Sequence, residues 1–320
     1  MKQPMKISQL IDEEGLRNLI PKRPTRPSTY NYLKQNNPEH HIVKDYEAAL
    51  YAYQEYQKKA NEAEGIIEKK EVIKPIGTMD VKELKKYFCQ AFYKVNKEKF
   101  NPNANDGEAN QFLCTLLYYF AKSDNFYKSN LLYKGDKITH DLNKGLLVIG
   151  GYGCGKTSFF KAFHYLFKVC LEQDISIKNL NGDLIKLARY KQFFKYFTAN
   201  QVVEKYEVCA EPADKDFFWL QQNNGRAYYD DILTEREANN YGKAEIFKDI
   251  LEKRYDLGST TLISCNYHKR SIKDKNGRVD VLENVNSTLW QFGKRYGPRI
   301  YDRLFSMFNI IELKGKSLRR

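Results

Sequence analysis

The sequence predicts an α/β fold in which a parallel sheet is sandwiched by helices and preceded by a helical N-terminal extension. Three stretches carry that prediction. In the first, Leu146-Leu147-Val148-Ile149 leads into Gly150-Gly151-Tyr152-Gly153-Cys154-Gly155-Lys156-Thr157, and Ser158-Phe159-Phe160-Lys161-Ala162-Phe163 continues as the opening turns of a helix. Strand, glycine-rich loop and helix make a P-loop with every fixed position of G-x-x-x-x-G-K-[ST] filled. In the second, Gly225-Arg226-Ala227-Tyr228-Tyr229-Asp230-Asp231 reads as a short strand ending in two acids. In the third, Thr260-Thr261-Leu262-Ile263-Ser264-Cys265-Asn266 reads as a buried strand ending in an amide. Strands alternating with helices imply parallel pairing through right-handed crossovers, and ligands of such sheets lie beyond the carboxyl ends of the strands. All three polar groups fall at those ends, which argues for one shared site.

Each residue type there has a physical task. Glycines let the backbone curl so that several N–H groups point at phosphate oxygens, and the helix start adds its dipole. Lys156 reaches the β- and γ-phosphates as a point charge, and the Thr157 hydroxyl suits Mg2+. Gly150, Gly151, Tyr152, Gly153, Cys154, Gly155, Lys156, Thr157 and Ser158 are therefore the expected ATP contacts. A glycine-rich turn that binds nothing is the alternative; the strand before it and the helix after it argue against that. Asp230 suits the same metal, directly or through water. Asp231 suits the general base that orients the attacking water. Two acids ending a strand also serve as a loop cap. Glu235 is a further acid in that region and equally suits a helix cap. Asn266 either contacts the γ-phosphate or lytic water, or caps a turn.

At 320 residues the chain has room for one large domain, or one domain with an extension, and 42% hydrophobic residues supply a packed core. No apolar run reaches the length of a membrane span, and Met1-Lys2-Gln3-Pro4-Met5-Lys6 leads into polar sequence, unlike a signal peptide. The cysteines Cys89, Cys114, Cys154, Cys170, Cys209 and Cys265 are scattered, without C-x-x-C pairs or neighbouring histidines. Their spacing argues against zinc and for a reducing, cytoplasmic setting. A net charge of +13 favours polyanionic partners, nucleic acid first, against the plainer alternative of a solvated basic surface. The 24 tyrosines are either stacking platforms for bases or ordinary packing.

Residues 1–75 read as a partner-binding extension and 80–320 as the catalytic domain, with a helical lead-in over 80–140. Pro21-Lys22-Arg23-Pro24-Thr25-Arg26-Pro27-Ser28 cannot lie inside a helix. The stretch 43–60 reads as a long amphipathic helix with a tyrosine stripe, and 69–77 as a linker. In the lead-in, Asp80 caps a helix over 81–97, and 107–123 places Phe112, Leu113, Leu116, Leu117 and Phe120 on one face. After the P-loop helix, 192–199 reads as a strand, Asn200 caps the helix that follows, and 244–255 is helical.

Taken in order, these motifs resemble the DnaC/IstB family of AAA+ ATPases, bacterial helicase loaders and transposition ATP-binding proteins. Asn143-Lys144-Gly145-Leu146-Leu147-Val148-Ile149-Gly150 is similar to that family's lead-in to its P-loop. Tyr229-Asp230-Asp231-Ile232 resembles its Walker B motif, with Tyr241-Gly242 continuing in the same style. Arg254-Tyr255-Asp256 and the strand ending in Asn266 resemble its sensor-1 region, and Tyr296-Gly297-Pro298-Arg299-Ile300-Tyr301-Asp302-Arg303-Leu304 its box VII helix. The resemblance covers roughly 80–320. It implies an AAA+ fold acting as a homo-oligomer with ATP between subunits, Arg303 as an arginine finger, Arg299 as a supporting residue, and Arg319 in the sensor-2 role. Two positions depart from the pattern: Leu233 replaces the glycine after the Walker B acids, and Cys265 the serine before the sensor asparagine. Neither removes a needed functional group. The implied function is an ATP-hydrolysing helicase loader that binds single-stranded DNA and a replicative DNA helicase. The alternatives are an IstB-like regulator on duplex DNA and an ATP-dependent scaffold without nucleic acid.

Overall fold

The computed structural model describes residues 24–63, 76–135, 138–273 and 279–317. It divides into two compact units, Met1–Lys74 and Pro75–Arg320.

In the first unit α1 (Tyr30–Asn36) packs on α2 (His41–Ala63), which contains the helix expected over 43–60. Tyr30 is the anchor. Its ring meets Tyr46 edge-on at 4.8 Å, and its hydroxyl donates to Glu47 at 2.6 Å. Lys34 pairs with the same carboxylate at 2.6 Å. Tyr51 and Tyr56, farther along the stripe, are exposed. The linker expected over 69–77 lies mostly outside the described residues, as does the start of the proline-rich stretch.

The second unit opens with α3 (Val81–Asn96), capped by Asp80, whose carboxylate accepts from the Lys82 amide at 2.7 Å. Then come α4 (Glu108–Ala121), β1 (Gly145–Gly150), α5 (Lys156–Glu172) and the β2 (Ser176–Lys178) and β3 (Leu184–Lys186) hairpin. Next are β4 (Lys195–Thr198), α6 (Ala199–Glu207), α7 (Pro212–Asn223), β5 (Ala227–Asp230), β6 (Ala238–Asn239), β7 (Lys243–Ala244) and α8 (Ile246–Asp256). The chain closes with β8 (Thr261–Cys265), the β9 (Lys269–Lys273) and β10 (Val279–Glu283) hairpin, α9 (Val285–Tyr296), α10 (Pro298–Met307) and β11 (Phe308–Leu313).

Five strands form a fully parallel sheet in the order β11-β1-β8-β5-β4. The β-strand period of two sends alternate residues of β1 to opposite faces: Leu146 and Val148 join one core, Leu147 and Ile149 the other. The first core is covered by α3, α4 and α5 through an aromatic stack, with Phe163 4.6 Å from both Phe88 and Phe120, and Phe160 4.1 Å from Tyr228. The second is covered by residues of α6, α8, α9 and α10. The lead-in thus covers one face of the sheet. Asn309 in β11 fastens the approach to β1, donating to the Asp141 and Gly145 carbonyls at 2.8 and 3.1 Å.

Two sequence expectations are corrected here. The cap of α6 is Thr198, whose hydroxyl accepts from the Gln201 amide at 3.3 Å while the Gln201 side chain accepts from the Thr198 amide at 3.1 Å. Thr198 has the extended backbone a cap needs, whereas Asn200 already lies within the helix. The strand expected over 192–199 narrows to Lys195–Thr198, because its parallel partner β5 spans only four residues.

Candidate functional site

The P-loop joins β1, which lies between β11 and β8, to α5. Gly153 and Gly155 take φ of +76° and +97°, the left-handed region that curls the loop inward. Helix α5 begins at Lys156 with no side-chain cap and no acid in its first turn. Helices α3 and α6, by contrast, close their first turns with Asp80 and Thr198. The first-turn amides of α5 thus carry no side-chain cap, a feature it shares with α4, α8 and α10.

Lys156 is buried and folds back over the loop, donating to the Gly150 carbonyl at 2.8 Å, the Gly151 carbonyl at 2.9 Å and Asn266 Oδ1 at 3.0 Å. The Asn266 amide donates in turn to Asp231 Oδ1 at 3.4 Å. The structure thus brings Lys156, Asn266 and Asp231 from three strand ends into one chain of contacts. Together with Thr157 and Ser158 they line a cleft of about 770 Å³. Another wall comes from α3, the α3–α4 loop and the start of α4: Phe92, Phe100, Ala104 and Ala109, with Glu98 and Asn101 at hand. Phe100 packs at 5.7 Å against both Phe92 and Phe159. That aromatic wall was not foreseen in the sequence; Lys99-Phe100-Asn101-Pro102 carries no motif.

Asp230 does not line this cleft. It is buried, and its carboxylate accepts from Tyr228 at 2.6 Å, Ser264 at 2.7 Å and Tyr196 at 2.8 Å. Burial, reinforced by the Asp230 charge, holds both phenols well above the usual tyrosine range, so they remain donors. These three hydroxyls are partners the sequence reading missed. Tyr228 and Ser264 had a visible signal, since each sits on the Asp230 face of its strand by the two-residue period.

Glu235 turns away from the cleft. Its carboxylate accepts from the Tyr296 hydroxyl and pairs with Arg295 at 3.1 Å, and burial raises its pKa. It ties the segment after β5 to α9 and caps no helix. Leu233, at the position of the family's glycine, is buried with φ of +76°. The local backbone keeps a glycine-like conformation without the glycine. Cys265 is a fully buried thiol pushed up to about 12 by burial.

Arg303 lies on α10 and is occupied within its own chain. It pairs with Asp256 at 3.1 Å and covers the Tyr255 ring at 4.2 Å, both in α8. Arg299, one turn earlier, is exposed. Arg319 lies outside the described residues. Among the described residues no helix is long and apolar enough to cross a membrane.

No protein-family model and no curated protein sequence matches this chain. Among solved structures, the crystal structure of the DnaC helicase loader matches 70% of this chain and 98% of its own at 17% identity, with a TM-score of 0.43. A candidate primosome component from Streptococcus pyogenes serotype M3 matches 68% of this chain and 85% of its own at 14% identity, with a TM-score of 0.37. Both are low-identity likenesses of fold. Lead-in, P-loop, paired acids and terminal arginine-bearing helix follow in that order along the chain.

Proposed function

We propose that this chain is an ATP-binding and ATP-hydrolysing AAA+ protein of the helicase-loader type. The observation that carries the nucleotide reading is the uncapped start of α5 facing a cleft that also holds Lys156, Thr157, Asp231 and Asn266. Such an end offers aligned N–H donors and a partial positive charge to a phosphate. The hydrogen bonds from Lys156 to two carbonyls and an amide oxygen are ones it can exchange for phosphate oxygens. Thr157 is the residue at hand for Mg2+, which would neutralise charge on the phosphates; Asp231 faces the cleft to orient water, and Asn266 links it to Lys156. Asp230 supports this group from behind its hydroxyl partners. The aromatic wall of Phe92 and Phe100 suits the base.

The loader role rests on the order of the sequence motifs and on the basic charge of the chain. The N-terminal unit is the segment that would grip a replicative helicase, and single-stranded DNA is the expected polyanion. In an oligomer, Arg303 acts on a neighbour's ATP only if its pair with Asp256 opens; Arg299 is the exposed alternative on the same helix. Turnover at high protein concentration, measured for Arg303→Ala and Arg299→Ala, separates the two. Capture of partners by the full chain separates the functions: recovery of a replicative helicase supports the loader, recovery of a transposase points to the regulator on duplex DNA, and binding of neither helicase nor DNA leaves the scaffold.

A further inference from the structure

The segment after β11 runs against the P-loop and is fastened by an acid at the start of α4. Glu108, the first residue of α4, accepts from two successive backbone amides, Lys314 N at 2.8 Å and Gly315 N at 2.7 Å. Both carboxylate oxygens are therefore committed to the strap. Position 315 sits close against these side chains: a Cβ there would lie 2.4 Å from Glu108 Oε2 and 2.5 Å from Asn105 Nδ2, so an alanine would push both side-chain ends aside. Two residues on, the strap meets the loop itself. A Cβ on Gly153 would lie 2.2 Å from Ser317 Oγ, and one on Gly150 2.8 Å from Leu313 Cβ. Tyr267 holds the near end, donating to the Leu313 carbonyl at 3.2 Å and to Glu312 at 3.1 Å.

We propose that Glu108 is a positioning residue for the nucleotide, pinning residues 314–317 as a strap that buttresses the P-loop in its binding shape. The proposal rests on the nucleotide reading above. Two physical reasons support it. A phosphate cradle built from backbone amides works only if the backbone is already curled, and Gly153, held at a positive φ, is the residue the strap touches. A carboxylate so near a triphosphate site would also repel the ligand if it were loose. Its charge already adds to burial in pushing up the Cys154 thiol of the loop. Binding that charge to two amides, as a pair of charge-assisted bonds, keeps it turned onto the strap.

The test uses the full chain with Glu108→Gln, Glu108→Ala and Gly315→Ala. Amide exchange of the peptide covering 314–317 reads the latch, and release of N-methylanthraniloyl-ADP reads the site. In the wild type the Lys314 and Gly315 amides should be protected. Glu108→Ala and Gly315→Ala should each lose that protection and release the nucleotide about tenfold faster, the scale of a lost charge-assisted hydrogen bond. Glu108→Gln keeps one carbonyl acceptor and should fall between, with apo melting temperature close to wild type in all folded variants. If Gly315→Ala does not fold, the Glu108 pair carries the result. Unprotected amides in the wild type overturn the proposal. So does rapid exchange in the variants with unchanged nucleotide release. A wild type that binds no nucleotide at all refutes the functional reading instead, while the exchange data still report whether the latch exists.

Discussion

Leu233 and Arg254 show how single residues are settled by competing magnitudes. Leu233 holds a left-handed backbone, a strain of about 1–2 kcal/mol that glycine would relieve. Its side chain is buried, and truncating a buried leucine costs about 2–5 kcal/mol. Burial wins, so Leu233→Gly should lower stability by roughly 1–3 kcal/mol in urea unfolding; a stabilised variant would contradict this balance. Arg254 is a fully buried guanidinium that donates to the Gln222, Gly225 and Thr260 carbonyls at 2.6–2.7 Å and to Thr261 Oγ1 at 2.8 Å. It bonds backbone carbonyls from the end of α7, the turn before β5 and the residue before β8. Arg254→Met should cost about 3–5 kcal/mol, because the Gly225 carbonyl and Thr261 Oγ1 lose the guanidinium, while the Gln222 and Thr260 carbonyls keep only the Tyr229 hydroxyl at 2.9 Å and the Ala227 amide at 3.3 Å. Arg254→Lys should rescue little, since one ammonium cannot reproduce the planar fork. A loss below about 1 kcal/mol would show that water replaces the side chain.

At the scale of elements, the P-loop unit was legible because its rules are local: an apolar strand, glycines at positions needing positive φ, and a helix start without a competing cap. The ends of β5 and β8 were legible for the same reason. The aromatic wall and the strap were not. Both depend on contacts between segments far apart in sequence, such as Phe100 with Phe159 and Glu108 with Gly315, which no local pattern encodes. The same limit explains Arg303: the motif order singled it out, but only packing shows its tie to Asp256. Helix α5 carries a further prediction. His164 lies 5.7–5.8 Å from the rings of Phe193, Phe194 and Tyr196, and burial, helped by Lys168, lowers its pKa from 6.5. The fold holds the neutral ring, whereas the unfolded chain takes up a proton below 6.5. The stability it contributes is therefore present above that pH and is lost as the pH falls. His164→Phe should flatten the fall in melting temperature between pH 7 and 5.5. An unchanged slope would place the effect on His140 and His268, whose pKa values burial also lowers.

For the whole molecule, the net charge of +13 and the parallel sheet make separate statements. Charge bears on partners: if the chain binds single-stranded DNA through about six phosphates, its affinity should fall roughly 300-fold between ~50 and ~200 mM salt. Salt-independent binding would contradict an electrostatic interface. The sheet bears on chemistry, since it gathers three strand ends around one cleft. The most direct measurement is equilibrium titration of the purified full chain with ATP and Mg2+, beside Lys156→Ala. Saturable binding of one nucleotide per chain, lost in Lys156→Ala while the variant keeps its melting temperature, is the predicted result. Equal binding by both proteins, or none by the wild type, would contradict the assignment of this cleft to a nucleotide.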